Sequence, residues 1–455
     1  MHENETAENP TPPLPPPDEH PYAVFRNANY ARYLLARFIA SFGMQMLVVA
    51  VDWELYDRTG SALALGFVGL SLMVPMILCT LPAGHVADSF NRKKIILGTT
   101  LALGAASLGL TLISALKANV GWIYLVLVVI GVSRTFLWPA SASYVANLVP
   151  RKQFARAVTF NSGAFQFSSV LGPAAGGLLI WLLHGAWIVY AINALAAVVC
   201  FILVATIHHE HKVAVREPVS FKNLVTGFHF VFTNKIILGT ITLDMFAVLL
   251  GGAVSLLPIF AKDILHSGPN GLGLMRAAMP VGALLCAFII AHRPPLERAG
   301  RAMLLCVAIF GGATVLFGVA NSEGLGRFFP APDAVWFWVA FGLLALCGAV
   351  DNVSVVVRQT LVQILTPDEK RGRVSAVNSL FIGTSNELGG FESGVTAQLF
   401  GPVMAGVPQT SVAAYTQAVA SGSIWSVVVG GCGTVLVVLA VAWIWPEIRR
   451  YGKLV

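Results

Sequence analysis

Along this chain, apolar residues gather into stretches of about 20 or more positions, separated by short polar turns, and the alternation recurs twelve times. A stretch of that length, folded as a helix, crosses a hydrocarbon core of about 30 Å. The pattern predicts helices near 31–56, 62–87, 95–116, 121–147, 157–183, 185–207, 235–261, 271–292, 301–320, 335–364, 374–401 and 420–446. The longest polar break, 208–234, falls after the sixth. Within it Phe221, Leu224, Val225, Phe228 and Val231 recur at helical spacing, which predicts a short amphipathic helix lying on the membrane surface.

An internal repeat matches that division. Leu148, Pro150, Arg156, Asn161 and Ser162 recur 217 residues later as Leu365, Pro367, Arg373, Asn378 and Ser379. Gly66 and Pro75 recur 205 residues later as Gly271 and Pro280. The reading is an all-α membrane protein of about twelve transmembrane helices in two pseudo-symmetric six-helix halves. Its parts are a proline-rich tail over 1–28, a first half over 29–207, a linker over 208–234, a second half over 235–446 and a short tail over 447–455. Duplicated halves flanking a midplane site are a transporter architecture.

Composition removes the soluble alternative. The chain is 56% hydrophobic and 11% charged, against roughly 25% charged residues in soluble proteins. The first 21 residues are acidic and rich in proline with no apolar core of a secretory signal, and are expected to be a disordered tail. Cys79, Cys200, Cys286, Cys306, Cys347 and Cys432 sit apart inside apolar spans, as small hydrophobes rather than a disulfide framework or a metal site. The net charge of +7 is explained by placement, not by nucleic acid. With the N-terminus in the cytoplasm, 23 of the 29 Lys and Arg residues fall on the cytoplasmic side, 4 on the other, and Arg134 and Arg276 within spans. That bias obeys the positive-inside rule and puts both termini inside.

Two motifs carry a family resemblance. Gly84, Asp88, Arg92 and Lys93, in the turn after the second span, resemble the signature of the major facilitator superfamily: a glycine, a carboxylate four residues on, then a basic run. On the fifth span Gly172, Pro173, Gly176 and Gly177 resemble the antiporter motif of that superfamily, with Ser168 where a glycine is usual. The stretches 51–66 and 366–374 are similar to the branch containing the bacterial enterobactin exporter and the macrolide efflux pumps. They differ from many relatives in the acidic residues Asp52 and Glu54. The resemblance covers most of the chain from about Phe25 to the end of the eleventh span. It implies a monomeric secondary exporter of a small organic molecule such as a siderophore or drug, in a bacterial inner membrane. No organic cofactor is implied, and a proton gradient is the energy source. No nucleotide-binding loop is present to drive an ATP-dependent mechanism.

Ionisable groups inside spans cost roughly 2.5–3.5 kcal/mol on insertion scales and so mark pathways. In the fold that the resemblance implies, the first, fourth, seventh and tenth spans line the cavity, and Asp52, Arg134, Asp244 and Asp351 lie one on each. Arg134 and Asp351 are also repeat equivalents, 217 residues apart. Burial favours a protonated carboxyl and a nearby arginine an ionised one, so exchange of partners could load and release a proton. Asp52, Glu54, Arg134, Asp244 and Asp351 are therefore the expected coupling and substrate groups. Arg276, Glu387 and Glu392 are secondary candidates, and Phe136, Trp138 and Gln166 are expected to offer substrate an aromatic and polar surface. Arg37 reads as an interfacial anchor, and His208, His209 and His211 as a solvated loop rather than metal ligands. Two other readings stay open: a divalent-metal or lysophospholipid transporter of the same fold, and a non-transporting membrane sensor or assembly partner.

Overall fold

The computed structural model describes residues 22–208, 228–293 and 297–452. Twelve long helices dominate them: α1 (Ala28–Thr59), α2 (Ala62–Ser89), α3 (Arg92–Ala115), α4 (Gly121–Leu148), α5 (Phe154–Leu183), α6 (Ala186–Ala205), α7 (Lys235–Leu250), α8 (Gly268–Ala291), α9 (Ala299–Val319), α10 (Asp333–Leu365), α11 (Asp368–Gln398) and α12 (Val412–Ile444). Eleven of the spans are apolar as well as long. The exception is α11, which begins in a charged turn and carries Glu387 and Glu392. It can be polar because α2, α7 and α12 surround it.

Local chemistry sets the ends. Asn27, Ser61, Asn91 and Asn234 cap α1, α2, α3 and α7 by accepting hydrogen bonds from first-turn amides, which satisfies donors that a helix N-terminus leaves free. The α1–α2 turn closes through Gly60 at φ 59°, a left-handed conformation that a side chain would strain. The seventh span is interrupted, contrary to the uniform helix expected over 235–261. It stops at Leu250, passes Gly251 and Gly252, and resumes as short helical turns from Ala253 to Ile264. Gly252 is where the chain presses on α11, since a Cβ there would lie 2.7 Å from the Gly389 carbonyl oxygen.

The packing follows the sequence repeat. Within the first half α1 lies against α5 and α6, α2 against α4, and α3 against α4 and α6. Adding six to each label gives the packing of the second half: α7 against α11 and α12, α8 against α10, and α9 against α10 and α12. Glycines make the equivalence local. Gly131 on α4 receives the backbone of α2 at Leu72, and Gly348 on α10, 217 residues on, receives the backbone of α8 at Met279. Pro150 and Pro367 also adopt matching conformations, φ −58°, ψ 149° and φ −56°, ψ 146°.

Some expected tails are folded. Residues 22–27, assigned above to the N-terminal tail, include a 3-10 turn (Ala23–Arg26) whose Val24 is fully buried. The Phe25 ring packs edge-on against Phe160 at 4.7 Å. Beyond α12, a short helix α13 (Pro446–Arg450) seats Ile448 against Gly300 of α9, so the C-terminal tail begins later than 447. The linker's expected amphipathic helix lies mostly outside the described residues. Its last turn, 228–233, is helical and packs Phe228 on Phe381 of α11 at 5.8 Å, with Val231 buried.

The halves meet along two seams, α2 with α11 and α5 with α8. Both are tightest towards the end of the bundle that holds the α1–α2 turn. A Cβ on Gly394 would stand 2.7 Å from the Gly66 Cα, and one on Gly177 would stand 2.9 Å from the Gly273 Cα. Small residues facing each other let helix backbones approach in lipid, where packing rather than the hydrophobic effect drives association.

Candidate functional site

The last turns of α1 carry charges on two faces. Asp52 and Tyr56, one helical turn apart, face the second half. Arg276 of α8 donates from Nη2 to Asp52 Oδ2, a buried ion pair between residues 224 apart in sequence. Tyr56 donates its hydroxyl to Asp263. Beside it Lys262 Nζ donates to Asp57 Oδ1 at 2.5 Å and lies 6.0 Å from the Trp53 ring centre. These three polar bonds cross between the halves at the α1–α2 end and close it.

Glu54 points elsewhere. It accepts from Arg58 Nη1 at 3.0 Å, and Tyr190 of α6 stands beside it. Arg58 also donates to the Ala118 carbonyl in the α3–α4 turn. Glu54 is therefore an internal tie of the first half rather than a cavity group, and neither is it exposed to water, since it is buried.

Deeper in the bundle, Glu387 on α11 lies in the combined field of Arg134 on α4, Asp52 on α1 and Arg276 on α8. One charged group from each of four helices thus converges at the centre, two carboxylates and two guanidiniums. Arg134 has no carboxylate within 4.0 Å among the described residues and is exposed. Glu387 and Arg276, secondary candidates from sequence, are part of this group.

Asp244 is not. It pairs with Arg358 of α10 inside the second half, with the Arg358 side chain 3% exposed. Arg358, one of the 23 cations that the charge census puts on the cytoplasmic side, is a buried partner tying α10 to α7. The sequence offered no sign of this, because an arginine about two turns from a helix end also fits an interfacial anchor whose long side chain reaches the surface. Asp351 lies on the face of α10 that carries Cys347, whose Sγ is 3.8 Å from Thr314 Oγ1 of α9. No cationic nitrogen lies within 4.0 Å of Asp351 among the described residues. Glu392, five positions beyond Glu387, is separate from the four-helix group.

A cavity of about 220 Å³ opens in the first half between α1, α3, α4, α5 and α6. Arg37, Arg134, Trp138, Gln45 and Phe165 line it. Arg37 had been expected to anchor the helix at the interface. It lines this cavity instead, its guanidinium 5.8 Å from the Trp138 ring centre. Of the expected aromatic and polar surface Trp138 lies on the cavity wall; Phe136 and Gln166 do not. The amide in the wall is Gln45, which donates to Ser169 of α5 at 3.1 Å, and Asn193 of α6 donates to Ser107 of α3 at 2.8 Å deeper in. An uncharged amide in an apolar span is the signal that a search restricted to charges overlooks.

The motif residues are structural. Lys93 donates to the carbonyls of Ala205 and Ile207, both at 2.8 Å, and so places a cation at the α6 C-terminus. Arg92 is buried and donates to the Ala87 carbonyl at 3.4 Å, with Gly84 and Asp88 partly exposed one turn apart. On α5, Gly172 and Gly176 take the backbone of α1 at Phe42 and Met46, while Gly177 takes α8. Ser168, fully buried, accommodates its extra atoms by donating to the Ala164 carbonyl at 2.8 Å. Pro173 lies within the helix, its carbonyl against Gly273.

Two repeated six-helix halves, joined along two seams and enclosing buried charges, define a polytopic membrane transporter rather than an enzyme. The chain belongs to the Major Facilitator Superfamily, whose family model matches residues 33–390. It is 25% identical to the enterobactin exporter EntS of Citrobacter koseri over 92% of each chain. It is 23% identical to the macrolide efflux protein A of Streptococcus pyogenes, over 78% of this chain and 86% of that one. Solved structures agree in fold. A nucleoside transporter, NupG, superposes with a TM-score of 0.69 at 11% identity, covering 92% of this chain and 100% of that one. An inward-facing, occupied bacterial homologue of the lysosomal transporter Spinster gives 0.67 at 17% identity, covering 94% and 98%.

Proposed function

We propose that this transporter is a proton-coupled exporter, an antiporter that moves a small organic molecule out of a bacterial cell across the inner membrane. The observation that carries the reading is the Asp52–Arg276 pair. A titratable carboxylate forms a bond between the two halves at their closed end, and Glu387 lies within the field of the same arginine. Protonating Asp52 would remove its attraction for Arg276 and release the seam; Glu387 is positioned to receive the freed guanidinium. Proton loading and rearrangement of the halves would then be one event, which is the requirement for coupled transport.

Direction follows from orientation and relatives. With the basic ends of the helices in the cytoplasm, the closed α1–α2 end faces outward and the central space faces inward. Export is supported by the similarity to proteins named for efflux and for enterobactin export. The small residues on α5 that seat α1 and α8 tightly give that side a close-fitting seal. Among the described residues no three His, Cys, Asp or Glu groups converge, so the divalent-cation alternative draws no support from side-chain placement.

The test is flux in proteoliposomes with an imposed proton gradient, comparing organic anions, lipophilic cations, Fe²⁺ or Mn²⁺, and lysophospholipid. The reading predicts gradient-dependent transport of an organic solute that is lost in Asp52→Asn. Transport indifferent to the gradient would overturn it.

A further inference from the structure

We propose that the cavity in the first half is an anion-recognition site, and that the molecule carried is an amphipathic organic anion with a flat aromatic or apolar body. The proposal deepens the exporter reading and rests on it for the word carried; the binding site itself stands independently.

The charge of the wall is the first reason. Seventeen residues line the cavity, and they include two arginines and no aspartate or glutamate. Cations inside a bilayer are normally paired with carboxylates or carbonyls. Here neither Arg37 nor Arg134 has a carboxylate within 4.0 Å among the described residues. Of the carboxylates around them, Asp52 of α1 is held by Arg276 and Asp244 of α7 by Arg358, and Glu387 of α11 acts on Arg134 only from beyond 4.0 Å. Two guanidiniums in one recess with no carboxylate in contact among the described residues leave a site that a carboxylate, sulfonate or phosphate would complete. Guanidinium suits such groups because its planar fork donates two parallel hydrogen bonds.

The geometry of Trp138 is the second reason. It is one helical turn from Arg134 on α4, hence on the same face, and Arg37 of α1 stands 5.8 Å from its ring centre. The indole thus lies on the cavity wall beside Arg37, yet is 66% exposed. Phe165 of α5, also on the wall, is 42% exposed. A ligand whose anionic head lies between the arginines would lay its body across these two rings. Gln45 and Ser41 add neutral polar groups near the head. The size agrees: about 220 Å³ is below the roughly 300–1,000 Å³ of pockets that enclose a drug-sized ligand. It holds the head of such a molecule while the body projects into the space between the halves.

The experiment uses the full-length protein in nanodiscs and three probes of nearly one shape: 2-naphthoate (anion), 2-naphthol (neutral) and 2-naphthylmethylammonium (cation). Equilibrium binding is measured by calorimetry and by quenching of tryptophan fluorescence. The proposal predicts that naphthoate binds at least tenfold more tightly than naphthol, and that the ammonium binds most weakly. Arg37→Gln and Arg134→Gln should each weaken naphthoate about tenfold or more, with Arg37→Lys intermediate. Naphthol binding should be unchanged in all three, which also reports that the variants are folded. Preference for the ammonium, or naphthoate affinity unaltered in the Arg37→Gln/Arg134→Gln double variant, would overturn the proposal. The two readings fail separately. Naphthoate binding with proton-independent flux would remove the coupling and leave the site; proton-coupled flux of a lipophilic cation with no arginine-dependent anion binding would do the reverse.

Discussion

Replacing Asp52 by asparagine should loosen the closed end of the bundle. The substitution keeps the shape of the side chain and removes one charge from a pair whose side chains are 6% and 17% exposed. Removing one partner of a buried ion pair costs about 3–5 kcal/mol, chiefly because the other charge is left uncompensated. Two features reduce that figure here. Arg276 is not fully enclosed, and Glu387 lies in its field. An effect of about 2–3 kcal/mol remains, equivalent to a shift of roughly 30- to 150-fold in the equilibrium between closed and open seams, at about 1.4 kcal/mol per tenfold. Spin labels on cysteines placed at Leu116 and Phe328, both well exposed and in loops of opposite halves near that end, report the distance between halves. In a background with the six native cysteines replaced, wild type should give one short-distance population. Asp52→Asn should add a long-distance population of comparable size. Asp52→Asn with Arg276→Gln leaves no charge stranded and should return the distribution most of the way. An unchanged distance distribution in Asp52→Asn would refute the assignment of this pair as the latch.

Other perturbations separate the latch from the scaffold. Gly177→Val should prevent closure along α5 and α8, because its side chain would meet the Gly273 backbone; transport should fall more than tenfold in a flux assay while membrane insertion persists. Asp244→Asn should instead lower thermal stability, by about 3 kcal/mol or more for a stranded buried Arg358, measured by a thermal-shift assay, with little change in the spin-label distances. Lys93→Met removes a cation from the α6 C-terminus and should cost about 0.3–1 kcal/mol of stability, less at high salt.

The architecture was readable because lipid makes it so. With no water to satisfy backbone groups, a spanning segment must be helical, so span length and spacing leave few alternatives, and every predicted span corresponds to a helix here. The repeat was readable for a related reason: Gly131 and Gly348 must both be small where a neighbouring backbone arrives. Partners were not readable. Asp52 meets Arg276 across 224 residues, and the sequence places Asp52, Asp244 and Asp351 on equal footing as acids in cavity-lining spans. Packing divides them, binding Asp244 to Arg358 within its own half and sending Glu54 to Arg58. Nor did Arg37 announce itself, because an arginine near a span end serves as an anchor or as a cavity wall depending on which face of the helix meets the bundle interior. The break after Leu250 escaped notice as well, since glycine pairs are common in membrane helices and only the nearness of α11 requires one there.

Coupling itself is tested most directly by the reciprocal flow. A substrate gradient imposed across proteoliposomes, at zero initial proton gradient, must drive protons if the two are exchanged. With a pH-sensitive dye trapped inside, and a transported organic solute loaded within the vesicles, the account predicts that efflux of solute acidifies the interior, and that Asp52→Asn abolishes the signal while the vesicles stay sealed. Solute efflux from wild-type vesicles with no change in internal pH would contradict it.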